Sequence, residues 1–249
     1  MPVLQASHLL FGWKGSNAPC LQIDELTLRA GEQMLLLGPS GGGKSTLLGV
    51  LGGVLQPTEG EVRLLGRKFS GCRAATRDRL RADHIGFIFQ QFNLVPYLSL
   101  EENVLLPCHF SAVRRRRAGA DPRAAARELL QALELPEEAW SRPVTGLSVG
   151  QQQRAAAARA LIGQPELLIA DEPTSALDGS NRDRLMSLLL AQLKKSRATL
   201  LVVSHDEQLQ RHFAKTVQLA DINRAERQTE KREISPTPPT PTPPPSPAD

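Results

Sequence analysis

Gly38-Pro-Ser-Gly-Gly-Gly-Lys-Ser45 follows the pattern G-x-x-x-x-G-K-[ST], a phosphate-binding loop. Gln33–Leu37 before it is a short apolar run suited to a buried strand. Thr46-Leu-Leu-Gly-Val-Leu51 after it begins a helical pattern. Strand, loop and helix form the setting this motif requires. Gly38, Pro39, Ser40, Gly41, Gly42 and Gly43 would form the cradle, its glycines letting backbone N–H groups approach phosphate oxygens with no Cβ in the way. The helix starting near Gly43 aims the positive end of its dipole at the same anion. Lys44 can reach the β- and γ-phosphates, the Ser45 hydroxyl can ligate Mg²⁺, and Thr46 stands beside them.

The 249 residues, 41% of them hydrophobic, suffice for one large α/β domain or two small ones. A formal charge of +4 is mildly basic and demands neither nucleic acid nor an anionic surface. Cys20, Cys72 and Cys108 lack C-x-x-C spacing and read as reduced cytosolic thiols. There is no basic-then-apolar leader pattern, and no apolar run approaches the roughly 18 residues that span a bilayer. The expectation is a cytoplasmic protein whose membrane-spanning partner, if it has one, is another chain.

In chain order, Val3–Leu10, Leu21–Leu28 and Glu61–Leu65 read as strands of a small antiparallel sheet. Trp13 precedes the first loop, where an exposed ring could stack on a purine base or pack on the strand. Ile85–Phe89 is a buried-strand candidate that ends at Gln90, a polar side chain placed to face a ligand. The stretch from about 91 to 155 reads as an inserted helical subdomain. It holds a capping box of Ser99 with Glu102 and an N-cap–proline pair, Asp121-Pro122. The run Arg114–Arg117 reads first as a solvated charge cluster, and second as a contact for phospholipid head groups or an acidic partner. Glu166–Asp171 is an apolar strand that ends in Asp171-Glu172. Carboxylates at the carboxyl end of a parallel strand occupy the crevice where such folds bind ligands. Asp171 can hold Mg²⁺, and Glu172 can orient or deprotonate a water. Thr199–Val203 ends at Ser204-His205, on the same edge. From 223 onward the chain turns charged, then rich in Pro, Thr and Ser, and reads as a tail outside a domain of residues 1–222.

This constellation resembles the nucleotide-binding domain of an ABC transporter. That resemblance implies a P-loop NTPase core, α/β with a mainly parallel sheet, plus the antiparallel and helical subdomains. It further implies that Trp13 stacks on adenine, Gln90 senses Mg²⁺ and water, and Glu172 and His205 are catalytic. Leu147–Gln151 is similar to the family signature, whose Ser148, Gly150 and Gln151 contact ATP held by the opposite subunit, and Asp178 matches the loop that crosses the dimer interface. The implied assembly is a homodimer with two ATP in its interface, bound to a separately encoded permease on the cytoplasmic face of the inner membrane, with no specific nucleic-acid binding. The stretches Leu80–Pro96 and Leu100–Pro107 look like the branch that serves lipoprotein release and macrolide export; the alternative is a cell-division or DNA-maintenance ATPase. Val149 departs from the glycine usual in the signature; its side chain is expected to turn into the subunit's own helical region, the alternative being that it faces the dimer interface and holds the two subunits slightly apart. The Asp-Gly hairpin usual after the last core strand lacks its glycine here, which puts that hairpin in doubt.

Overall fold

The protein's structure is a computed structural model that describes residues 1–16 and 18–225. β1 (Pro2–Phe11) and β2 (Leu21–Arg29) pair antiparallel, with Ala6 opposite Leu26. β3 (Gln33–Leu37) buries four consecutive residues, the mark of a strand covered on both faces. It passes through the phosphate loop into α1 (Lys44–Leu51). β4 (Glu59–Leu64) and β5 (Arg67–Lys68) complete an antiparallel sheet in the order β2-β1-β4-β5.

α2 (Ala74–His84) leads into β6 (Ile85–Ile88), and α3 (Leu100–Phe110), α4 (Ala112–Arg117) and α5 (Pro122–Ala132) follow. Ser99 and Glu102 close a capping box on α3, and Asp121 caps α5 with Pro122 in its first turn. α6 (Val149–Leu161) returns the chain to β7 (Leu167–Asp171). α7 (Gly179–Ser196), β8 (Thr199–Ser204), β9 (Lys215–Gln218) and α8 (Leu219–Ile222) follow. The second sheet runs β6-β7-β8-β3-β9 with every neighbouring pair parallel. Its register aligns Leu37 with Ser204, Asp171 with Val203 and Ile88 with Ala170. The residues that follow β3, β6, β7 and β8 therefore leave the sheet at one edge.

Alternation along these strands sends side chains to two cores. Leu35, Leu37, Ala170 and Val202 pack with α3, α5, α6 and α7. Met34, Leu36, Ile169 and Val203 pack with α1 and the antiparallel sheet. Each fully buried leucine contributes about 1.5–3 kcal/mol. Gly86 lets α6 lie against β6: a Cβ there would stand 2.3 Å from the Ala160 carbonyl oxygen. Among the described residues no helix is long and apolar enough to cross a membrane.

Two expectations change. The run Arg114–Arg117 is a helix, not a uniformly solvated cluster. Arg114 is 3% exposed, its Nε donating to the Ile162 carbonyl at 2.8 Å and its Nη2 to the Ala160 carbonyl at 2.6 Å. It thus caps the carboxyl end of α6, where a cation is favoured. Burial pulls this guanidinium down to about 10. Arg117 pairs with Glu166 at 2.6 Å, and only Arg115 and Arg116 fit the solvated reading. Second, Asn223, assigned above to the start of the tail, is fully buried. Its side chain accepts from the Gln22 N–H at 2.8 Å and donates to the Cys20 carbonyl at 3.1 Å, stitching the segment after α8 to the start of β2. In keeping with the missing glycine, the short helix α8, not an Asp-Gly hairpin, stands directly after β9. The Pro/Thr-rich stretch lies outside the described residues.

Candidate functional site

The phosphate loop leaves β3 at the common edge. Gly41 (φ +83°) and Gly43 (φ +85°) adopt the left-handed conformation that favours glycine, and Gly43 is the N-cap of α1. Lys44 is buried. Its Nζ donates to the carbonyls of Gly38 at 2.9 Å and Pro39 at 2.8 Å, and lies 3.6 Å from Glu172 Oε1.

Glu172 follows β7, and its N–H donates to the Val203 carbonyl at 2.9 Å. It is 7% exposed and has φ +46°, an uncommon conformation for a residue with a Cβ. Such local strain persists only where the surroundings enforce it. They do so here: the Ser204 hydroxyl donates to Oε2 at 2.8 Å, and His205 Nδ1 lies 2.7 Å from Oε1. Ser204 was not singled out in the sequence, where a serine ending a strand is unremarkable. Asp171, one residue earlier, has a buried Oδ1 without a hydrogen-bond partner. Burial pushes its carboxyl up, Glu172's like charge adds to this, and the Ser45 hydroxyl and Lys44 oppose it. An unpartnered carboxylate oxygen beside a hydroxyl is the hard-oxygen pair that Mg²⁺ accepts alongside phosphate and water, so these residues fit that ion.

Trp13 is 53% exposed, propped edge-on by Phe11 with ring centroids 5.1 Å apart. Trp13, Gln90, Glu172 and His205 line one cleft of about 440 Å³ together with Ser40, Gly41, Gly43, Lys44, Ser45 and Thr46. Cys20 lines it too, which no sequence signal indicated. Gly38 and Pro39 serve through their carbonyls. Ser148, Gly150 and Gln151 do not line this cleft. Ser148 caps α6 in a capping box with Gln151, whose Oε1 accepts the Ser148 N–H at 2.9 Å. Val149 is 48% exposed and does not turn into the helical region. The reason is geometric: it occupies the first turn of α6, and side-chain burial along that helix begins only at Gln153. A separate cleft of about 350 Å³, bordered by α4, α5 and the end of α7, holds none of these residues.

A sequence profile described as "ABC transporter" matches residues 21–175. The chain belongs to the ABC transporter family. It is an ATP-binding subunit, and the transporter reading prevails over the non-transport alternative. It is 41% identical over 196 residues to the uncharacterized ABC transporter ATP-binding protein MJ0796 of Methanocaldococcus jannaschii, across 79% of this chain and 83% of that one. The uncharacterized ABC transporter ATP-binding protein YbbA of Escherichia coli is 43% identical over 185 residues, 74% of this chain and 79% of its own. The macrolide export ATP-binding/permease protein MacB 1 of Aeromonas hydrophila is 39% identical over 240 residues. That match takes in 95% of this chain but 36% of the longer protein. Among solved structures, a dimeric structure of MJ0796 superposes with a TM-score of 0.77 at 36% identity, covering 86% of this chain and 93% of that one. A post-hydrolysis dimer of the same cassette, bound to ADP and Pi, superposes with a TM-score of 0.75 at 35% identity. The expected P-loop α/β fold is thus the fold of this ABC cassette.

Proposed function

We propose that this ABC cassette hydrolyses ATP with Mg²⁺ between two copies of itself and drives a separately encoded permease. The observation that carries the reading is the position of Glu172, fixed between Lys44 at 3.6 Å and His205 at 2.7 Å on the cleft wall. Lys44 and the loop N–H groups neutralise the phosphates, the largest electrostatic demand of phosphoryl transfer. Asp171 and Ser45 would hold Mg²⁺, which would supply positive charge to the phosphate oxygens. Glu172 accepts the proton of the attacking water, with Ser204 and His205 fixing its two oxygens. His205 and Gln90 reach the γ-phosphate side, and Trp13 offers its exposed face to adenine.

The signature lies outside this cleft, so its role requires a second copy. The N-terminus of α6, with Ser148, Gly150, Gln151 and the exposed Val149, then meets the partner's phosphate. Exposed Phe89 (38%), Tyr97 (82%) and Phe110 (78%) leave apolar surface for another chain. We assign it to the permease, through which the subunit sits on the cytoplasmic face of the membrane. The likeness to MacB favours export as the task. Titration with a fluorescent ATP analogue tests the foundation. Lys44→Ala should weaken binding by tenfold or more, because several phosphate charges lose their nearest cation. Unchanged affinity would remove Lys44 from the phosphates and the reading with it.

A further inference from the structure

The segment that leaves β8 at the cleft and the turn that opens α7 meet through one arginine that no motif contains. Arg182 stands in the first turn of α7, its N–H bonded to the Asp178 carbonyl at 2.9 Å. The Asp178 carboxylate is committed to that turn: it accepts from the Asn181 N–H and the Ser180 hydroxyl, each at 2.9 Å. The Arg182 guanidinium points across to the segment after β8. Nη1 lies 2.7 Å from Asp206 Oδ2, Nη2 donates to Gln208 Oε1, and the side chain is 12% exposed. Asp206 also accepts the Gln208 N–H through Oδ1 at 2.9 Å, capping the 3-10 turn Glu207–His212. Its own N–H donates to Ser204 Oγ at 3.1 Å. The same hydroxyl donates to Glu172 at 2.8 Å, and His205 is held between these two anchors. One residue on from Arg182, Asp183 lies 3.0 Å from His212 Nε2 and pairs with Arg211, so both ends of the turn are tied to α7.

We propose that Arg182 is a positioning residue, locking the Asp178 turn and the His205 loop into one rigid body that sets Glu172 and His205 for hydrolysis. The relay runs from Arg182 to Asp206, to Ser204, to Glu172. A displacement of the Asp178 turn is carried to the water-activating carboxylate through two charge-assisted bonds, Arg182 to Asp206 and Ser204 to Glu172, joined by the Asp206 N–H on Ser204 Oγ. Arg182 does not line the cleft. Its loss therefore acts on the chemical step rather than on nucleotide affinity, since a small misplacement of reacting groups lowers rate more than binding. The inference rests on the ATPase reading above.

The test is a double-mutant cycle on the full-length chain, Arg182→Ala with Asp206→Asn, read as kcat, as affinity for a fluorescent ATP analogue and as melting temperature. The expected result is a fall in kcat of about tenfold in Arg182→Ala, equivalent to about 1.4 kcal/mol of barrier. Affinity should stay within twofold, and adding Asp206→Asn should lower kcat little further. Arg182→Lys, which keeps the charge and loses the fork, should fall between. Additive losses in the double variant, or kcat and affinity falling together, would assign Arg182 to stability alone and overturn the proposal. If Arg182→Ala does not fold, Gln208→Ala with Arg182→Lys forms the same cycle, with the same outcomes for and against. A wild-type chain without ATPase activity would instead overturn the underlying reading, whatever the variants do.

Discussion

Asp171 illustrates a residue placed against its own stability. Burial holds its carboxyl above the ordinary value, so the ionised form is disfavoured in the fold relative to the unfolded chain. The penalty is full above the folded-state value, shrinks as pH falls below it, and is gone below the unfolded-state value. Asp171→Asn removes the charge and keeps the shape. It should raise the nucleotide-free melting temperature in EDTA and abolish Mg²⁺-dependent turnover. A lower melting temperature with turnover retained would contradict the assignment of Asp171 to the metal. At this scale the sequence announced Lys44, Asp171, Glu172 and His205, because each sits at a fixed offset from the end of an apolar strand. Arg114, Arg182 and Asn223 were not legible. Arg182 bonds a residue 24 positions away, Arg114 a carbonyl 48 away and Asn223 a backbone group 201 away. A solvated arginine and a buried one read alike until the fold brings such partners together.

β3 was read at its observed limits, Gln33–Leu37, because five apolar or half-buried residues stand between a turn and a glycine loop. The capping signals at Ser99 and Asp121 were equally direct, since a cap is local chemistry within four residues. The α4 helix was missed for the opposite reason. A run of four arginines has no apolar stripe, and the one that is buried, Arg114, is held by the carboxyl end of α6. That helix also carries the signature, so its seat on β6 matters to the site. Gly86 permits the seat, with an added Cβ 2.3 Å from the Ala160 carbonyl oxygen and 2.8 Å from Leu168 Cδ1. Gly86→Ala must push backbone against backbone. It should destabilise by about 1–3 kcal/mol, the range of overpacked cores. Chemical denaturation checks this, and a midpoint equal to wild type would show that α6 yields freely.

Across the whole molecule, Glu166 ties three elements together, holding His84 at the end of α2 at 3.0 Å and Arg117 at the end of α4 at 2.6 Å while it leads into β7. Burial alone would raise this carboxyl, but the His84 and Arg117 contacts overcome it and hold it at about 2, below its ordinary 4.5. A depressed carboxylate contributes stability above its unfolded value and loses it as pH falls toward its folded value. Melting temperature should therefore drop more steeply between pH 4.5 and about 2 in the wild type than in Glu166→Gln. Parallel curves would show that the cluster is not coupled to folding. The largest unit proposed, a pair of copies around ATP, was legible through Leu147–Gln151 and Asp178: the structure leaves Ser148, Gly150 and Gln151 away from their own cleft, where Ser148 and Gln151 cap α6 and touch no nucleotide site of their own chain. Glu172→Gln tests that account most directly, because the amide keeps the shape of the side chain and loses the base. Size-exclusion chromatography with ATP and Mg²⁺, alongside a turnover assay, should give a stable dimer that binds ATP and does not hydrolyse it. A variant that stays monomeric at high concentration, or that hydrolyses ATP at the wild-type rate, would contradict it.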